Sequence, residues 1–546
     1  MRVNFMLALA FCSPNKNIKI ICSNNISLFS CKNQSINQSI NQSIKMNKQL
    51  FLYLTALLFT SIISGQEIKN FFSTLDKNEL FYGSVIVSKS GENIFSNYYG
   101  YSNVDKKEKI NEKSQFPIAS VSKTFTAVAI MQLKQKGKLN IDDPVKKYLL
   151  DFPYPNISIR HLLSNTSGLA QEYHLFDNVI KEKPEKIISN EDIIPALIDN
   201  KVPLSFAPGD RWEYNNVNFC LAALVVEKLA GISFGDYLEK NIFSPAKMKD
   251  SFLPKNRKLK VSRQVELYTY PNFYSLNVVN VQTLKETFLI VEKSNFYGNG
   301  GIVSTALDLQ NYQKALFSYQ LLGKKELEEV LTPAKLNNGK IASYRSDEIE
   351  IAYGLGWQTY TNENNEKIVF HDGFITGLAS ILIHNITKDN TVILLSNTAS
   401  PVFGTANEVL KLIDNKPYKM PLQNLSRVYG SLLESGRKEK ANQLIEEYLK
   451  NPSTYEAAER DFNRLGYQFL RLQQTENSLQ TFASAALIFP NSANIYDSYG
   501  EALLQSGKKD DAIKMYQKSI ELNPNNENGK KVLKELLNVE NIKAKS

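Results

Sequence analysis

Cysteine and histidine are scarce in this chain, and each scarcity removes a class of chemistry. Only four cysteines occur in 546 residues. Cys12, Cys22 and Cys31 lie at the start, which leaves Cys220 alone for all that follows. One thiol cannot build a disulfide framework, so the fold beyond that point must rest on a hydrophobic core. Cys220 follows Phe219 and precedes Leu221-Ala222-Ala223-Leu224, a setting for a buried thiol rather than a reactive one. The four histidines, His161, His174, His371 and His384, are dispersed. No spacing among them resembles a clustered zinc site, so neither a metal nor another cofactor is expected.

Excess charge is scarcer than the formal +9 suggests. Six of the 64 basic residues and none of the 55 acidic ones lie in residues 1–66, so the rest of the chain carries only about +3. That balance gives no reason to expect a nucleic acid or an anionic membrane surface as partner. Long apolar runs are missing too. The clearest one, Leu50 to Phe59, is short for a membrane span. It follows Met46-Asn47-Lys48 and leads to Ser64-Gly65 before Gln66. A basic head, an apolar middle and a small-residue exit predict a secretory signal over 46–66, hence a secreted or periplasmic protein without a stable span beyond that segment. Upstream, Asn33-Gln34-Ser35-Ile36 repeats three times in register, and residues 1–45 read as an over-extended reading frame or a disordered polar leader.

Residues 67–415 mix strand and helix patterns. Gly83 to Ser88, a turn at Ser90-Gly91-Glu92-Asn93, and Ile94 to Ser96 predict a hairpin. Strand patterns return at Lys367–Phe370, Ala379–His384 and Thr391–Leu395. The first and last segments are therefore expected to share one antiparallel sheet, with a helical middle inserted and a cleft between sheet and insert. The stretch 277–300 is expected to line that cleft. Beyond about 420 the character changes. Gly466, Phe482, Ala485 and Pro490 recur 34 residues later as Gly500, Tyr516, Ser519 and Pro524. That period resembles tetratricopeptide repeats, and residues 420–546 are read as an all-helical repeat domain able to offer a groove to a protein partner. Residues 425–450 are read as a divergent earlier helix pair.

The chemistry centres on Phe116-Pro117-Ile118-Ala119-Ser120-Val121-Ser122-Lys123. Proline and small residues predict a helix start, and Val121, Phe125, Val128 and Ala129 an apolar stripe. Residues three apart share a helix face, which puts the Ser120 hydroxyl beside the Lys123 amine, a nucleophile with a proton acceptor. The pattern alone has little weight, because it recurs at Ser13/Lys16, Ser244/Lys247, Ser435/Lys438 and Ser506/Lys509. Two further motifs lie downstream: Tyr214-Asn215-Asn216 ahead of a helix-like run, and His371-Asp372-Gly373 at a strand end before Phe374.

In the order Ser-x-x-Lys, Tyr-x-Asn, His-x-Gly, the chain resembles the serine β-lactamase-related hydrolases: class C β-lactamases, serine D,D-peptidases and related esterases and D-aminopeptidases. The surroundings carry the resemblance as well: FPIASVSKTFTAVAIMQL, ISIRHLLSNTSGL with Asn165 where a histidine is common, FAPGDRWEYNNVNF, NGGIVSTALDL and YGLGW. It covers roughly residues 75–400 and leaves the tail outside. It implies an α/β (α+β) fold, a β-lactamase/transpeptidase-like antiparallel sheet flanked by helices. It implies Ser120 as nucleophile, Lys123 as proton acceptor and Tyr214 as proton relay. Asn216, His371, Gly373 and Phe374 would bind substrate, with the backbone N–H groups of Ser120 and Phe374 as the oxyanion hole. His371 departs from the class C pattern, where a lysine meets the substrate carboxylate. A largely neutral imidazole favours a peptidase or esterase over an efficient β-lactamase. The rival reading is a non-catalytic scaffold that uses the same fold to hold a ligand and the helical tail to recruit partners.

Overall fold

A computed structural model describes residues 65–543 apart from 172–174, 184, 256–262, 273, 285–293 and 347–348. The expected signal segment and leader, His174, and the middle of the 277–300 stretch lie outside the described residues. From Ser64 onward the chain forms one compact unit.

Its centre is an eight-stranded antiparallel sheet. In chain order the strands are β1 (Gly83–Lys89), β2 (Glu92–Tyr99), β3 (Ser343–Ser346), β4 (Ile349–Tyr353), β5 (Gln358–Thr361), β6 (Lys367–Ile375), β7 (Leu378–Asn385) and β8 (Asn390–Ser396). Across the sheet they run β2-β1-β8-β7-β6-β5-β4-β3. The first hairpin therefore joins the last strand, with Gly83 opposite Ser396 and Ser88 opposite Thr391. Every residue of β7 and β8 is buried, because both faces of the sheet are covered and the strands read as continuous apolar runs. Strand alternation divides them between two cores. Leu378, Leu382, Ile393 and Leu395 pack against the helical insert. Ile381, Ile383, Val392 and Leu394 pack against the helical stretch 65–77 and the helix Val402–Ile413.

Strands β3 to β5 extend the sheet beyond what the sequence pattern predicts. β3, Ser-Tyr-Arg-Ser, is a short polar edge strand with no buried residue. Such edges carry no apolar signal, and their polarity discourages pairing with other chains.

The insert is built around helix α1 (Ser122–Gln135), which is buried on all sides from Ser122 to Leu133 rather than along one stripe. It packs against α2 (Asn216–Ala230), and its Phe125 stacks at 3.9 Å on Tyr312 of α3 (Ala306–Phe317), a helix that itself lies on β1 and β8. A helix enclosed by core has no solvent face to mark with charge, which is why its only cation in the first turns, Lys123, stands out. Pro117 does not open α1, contrary to the sequence reading. Phe116–Pro117 is a short strand paired with Val303–Ser304, where an edge position tolerates the missing N–H.

After α4 (Val402–Ile413) come, among the described residues, seven α-helices of the tail: α5 (Leu425–Glu434), α6 (Lys438–Lys450), α7 (Glu459–Arg471), α8 (Thr475–Ile488), α9 (Ala493–Gln505), α10 (Lys509–Leu522) and α11 (Glu527–Lys543). The 34-residue period has a steric basis. A Cβ on Gly466 would lie 2.5 Å from the Phe482 ring, and one on Gly500 would lie 3.1 Å from the Tyr516 ring. Each glycine admits the aromatic of the following helix.

Candidate active site

Ser120 sits on a single 3-10 turn, Ala119–Val121, immediately before α1. Ala119 precedes it with φ +44°, a left-handed conformation that costs a side-chain-bearing residue of order 1–3 kcal/mol. The neighbouring residue holds this turn in place. Ile118 donates its N–H to Ile302 O at 2.9 Å, and its carbonyl accepts from Ser380 Oγ of β7 at 2.8 Å. Strand β6 closes in from the same side. A Cβ on Gly373 would come within 2.5 Å of Ile118 O and 2.9 Å of Ser120 N, so only glycine permits that approach.

Lys123 is fully buried. Its Nζ lies 3.1 Å from Ser120 Oγ, 2.7 Å from Asn216 Oδ1 and 2.8 Å from the carbonyl oxygen of Asn299. Tyr214 donates its hydroxyl to Ser120 Oγ at 2.7 Å, and Lys123 Nζ stands 4.7 Å from the centre of its ring. Lys123 and Tyr214 thus meet at the Ser120 hydroxyl, while Asn216 and Asn299 hold the Lys123 amine.

The Tyr-Asn-Asn motif owes its shape to helix capping. Asn215 is the N-cap of α2, accepting from the N–H of Val217 at 2.9 Å. The residue before the cap, Tyr214, is still extended chain and points at Ser120. The residue after it, Asn216, opens the helix and points at Lys123. Asn215 also donates to Leu169 O and Ala170 O, at 2.7 and 3.0 Å. Asn165 Oδ1 accepts from Asn215 N and Asn218 Nδ2, and Glu213 N donates to Asn165 O at 2.9 Å. The 157–169 motif is therefore a strap that holds the tyrosine segment.

His371 lies in β6, 1% exposed. Its Nδ1 is 2.6 Å from Asp372 O, an atom that only accepts, so Nδ1 carries the proton and Nε2 accepts from the Tyr353 hydroxyl at 3.3 Å. Burial pushes its pKa down to about 4, with Asp372 opposing the shift and Lys123 adding to it. The imidazole is neutral at pH 7, and its ring centre is 6.4 Å from that of Tyr214. Phe374 is 67% exposed on the same strand. β5 pairs with β6 only over Lys367–Phe370, so no described strand pairs with residues 371–375 on that side.

Asn299, Asn165, Asn215 and Tyr353 were not singled out as site residues from sequence. For Asn299 the signal is the glycine-dense Gly298-Asn299-Gly300-Gly301. Gly298 has φ +87°, and a Cβ there would lie 2.4 Å from Phe219 O. Thr126 Oγ1 of α1 donates to Gly298 O at 2.7 Å, which presents the next carbonyl, that of Asn299, to Lys123.

A family model described as Beta-lactamase matches residues 70–416, more than half of the chain. The chain belongs to the beta-lactamase family. Among the relatives of this family member, a penicillin-binding protein of Bacillus subtilis is 32% identical over 335 residues, 61% of this chain and 71% of that protein. Protein flp of Staphylococcus aureus is 27% identical over 63% of this chain and 65% of its own length. The chain thus spans about two thirds of the length of these curated relatives. In structure, a penicillin binding protein from Bacillus halodurans superposes with TM-score 0.52 at 27% identity, over 63% of this chain and 98% of that one. A tetratricopeptide repeat model matches residues 493–526 of the tail.

Proposed function

We propose that this member of the serine hydrolase family of β-lactamase and penicillin-binding type opens an amide or ester bond through an acyl-enzyme on Ser120. One observation carries the reading: Lys123 Nζ and the Tyr214 hydroxyl converge on Ser120 Oγ, at 3.1 and 2.7 Å. Lys123 can take the serine proton only in its neutral form, in which its two N–H groups go to Asn216 Oδ1 and Asn299 O and its lone pair faces Ser120 Oγ. As Oγ bonds to the substrate carbonyl carbon, that proton moves to Nζ. Tyr214 gives its proton to the departing nitrogen or oxygen as the scissile bond breaks, and recovers one from Lys123. Water then attacks the ester, and its proton returns to Ser120 Oγ by the same route.

The negative oxygen of each tetrahedral intermediate is assigned to the N–H groups of Ser120 and Phe374, where losing one donor typically costs about 3–4 kcal/mol. The close approach of Gly373 to Ser120 N supports that placement. Asn216 orients the substrate amide together with Lys123. His371, buried and neutral, supplies no fixed charge for a substrate carboxylate. This favours D-amino-acid peptides of cell-wall type or small esters, with β-lactams as incidental acylating agents. The sequence over 46–66 supports export of the enzyme from the cytoplasm.

The test is covalent labelling of the full chain with fluorescent penicillin and an active-serine phosphonate, the adduct mapped by mass spectrometry. An adduct on Ser120, absent in Ser120→Ala, is expected. No adduct with either probe overturns the proposal in favour of the scaffold reading. Nitrocefin, p-nitrophenyl esters and D-Ala-D-Ala peptides then sort peptidase, esterase and β-lactamase activity.

A further inference from the structure

The tail and the hydrolase share an apolar core through one residue. Tyr274, from the hydrolase side, is 3% exposed and belongs to the same buried cluster as Leu425, Tyr429 and Leu465 of the tail. Its ring stacks on Phe469 of α7 with centroids 5.0 Å apart. A Cβ on Gly430 of α5 would lie 2.6 Å from Tyr274 Cβ, so the tail leaves room for this side chain. Four residues earlier, the Tyr270 ring receives the Arg427 guanidinium of α5 at 3.8 Å.

Both tyrosines lie between the two arms of one hairpin, Tyr268–Thr269 paired with Val279–Asn280. The base of that hairpin rests on the turn that joins β6 to β7. Gly377 in this turn has φ +78°, and a Cβ there would lie 2.5 Å from Val281 Cγ2 and 3.0 Å from Tyr268 N. Tyr268 N also donates to Asn397 O at 2.9 Å, just past β8. From α5 and α7 the contacts reach Tyr270 and Tyr274, and the arms of their hairpin lead on to Gly377 in the turn after β6, three residues from Phe374.

We propose that Tyr274 is a positioning residue. Through it, the helical tail holds the paired arms Tyr268–Thr269 and Val279–Asn280 as the wall of the substrate groove where an extended acyl chain would lie along residues 371–375. This rests on the acyl-enzyme reading of Ser120. A small acyl group ends at Ser120 and does not reach the wall; a peptidyl group laid beside β6 does. The tail would then set selectivity for long over short substrates without touching the reacting atoms.

The experiment compares Ser120 labelling of the full chain by a small alkyl phosphonate and by a dipeptidyl phosphonate, with affinity (KI) and inactivation rate (kinact) separated. Wild type is expected to favour the dipeptidyl probe. Tyr274→Ala, and independently Gly430→Ala in the tail, should raise KI for the dipeptidyl probe by about tenfold while both constants for the small probe stay within about twofold. Tyr274→Phe, which keeps the ring, should match wild type. Equal loss with both probes, unchanged selectivity in a folded Tyr274→Ala protein, or a wild type with no preference would overturn the proposal. Failure of wild type to react with either probe would defeat the acyl-enzyme reading itself, and this proposal with it.

Discussion

Gly373→Ala adds one methyl group where β6 meets the Ser120 turn with no room for it. The new Cβ would sit 2.5 Å from Ile118 O, 2.5 Å from Ser380 Oγ and 2.9 Å from Ser120 N. Ordinary contact begins at 3.4 Å, so β6 must retreat by about 0.9 Å from Ile118 O. The serine hydroxyl of Ser380 can rotate away, but then it gives up its bond to Ile118 O, worth about 1 kcal/mol. The backbone atoms cannot rotate away. Overpacking of this kind typically costs about 1–3 kcal/mol of stability. Its effect on reactivity should be larger in proportion, because a displacement near 1 Å of a positioned group costs on the order of 100-fold in rate. The assay pairs thermal unfolding with the second-order rate of phosphonate labelling at Ser120. The expected result is a folded protein, destabilised by the stated amount, labelled about 100-fold more slowly. The companion Gly373→Ala/Ser380→Ala removes the hydroxyl clash but leaves both backbone clashes, so it should recover at most part of the stability and little of the rate. A Gly373→Ala protein labelled at the wild-type rate would refute the claim that β6 and the Ser120 turn form one unit.

Tyr214→Phe should lower kcat by about 100- to 10,000-fold in the same ester assay, with little change in melting temperature, since the ring remains and one hydroxyl proton carrier is lost. His371 and His384 are both buried with pKa values pushed down to about 4, against about 6.5 unfolded, so the unfolded chain binds more protons between those values. Their contribution is present above pH 6.5 and is lost as pH falls through 4, at up to about 1.4 kcal/mol per pH unit for each. Denaturant titrations from pH 7 to 4 should show this fall, with a shallower slope in His371→Asn; an unchanged slope would contradict the buried neutral imidazole. In the tail, Gly466→Ala meets the Phe482 ring at 2.5 Å and Gly500→Ala meets the Tyr516 ring at 3.1 Å. The first should destabilise more than the second, by about 1–3 kcal/mol. Equal melting temperatures would argue against the steric basis of the repeat.

Much of the fold was legible because its strongest signals are local. The hairpin over β1 and β2 follows from a turn between alternating segments, and β6 to β8 from continuous apolar runs. The 34-residue spacing of glycine and aromatic identifies the repeat because each pair lies within one helix–helix step. Strand β3 gives no signal because an edge strand needs no apolar run, β4 and β5 are only five and four residues long, and the buried surface of α1 extends beyond the stripe that its sequence suggests. Asn215 escaped for another reason. Its role is a cap, and the sequence between Tyr214 and Asn216 read as a spacer.

The amino-acid sequence by itself determined the inventory and the order: Ser120 and Lys123 one turn apart, a tyrosine ahead of a helix cap, a histidine and glycine on a strand, and a helical tail with its own period. Periodicity and capping act within a few residues, and a linear reading captures them. Tertiary structure alone decided which carbonyl faces Lys123, that His371 is buried, and that Tyr274 belongs to the core of the tail. Those facts depend on which surfaces exclude water from one another, and residues 93 or 176 positions apart meet only when the chain has closed around them.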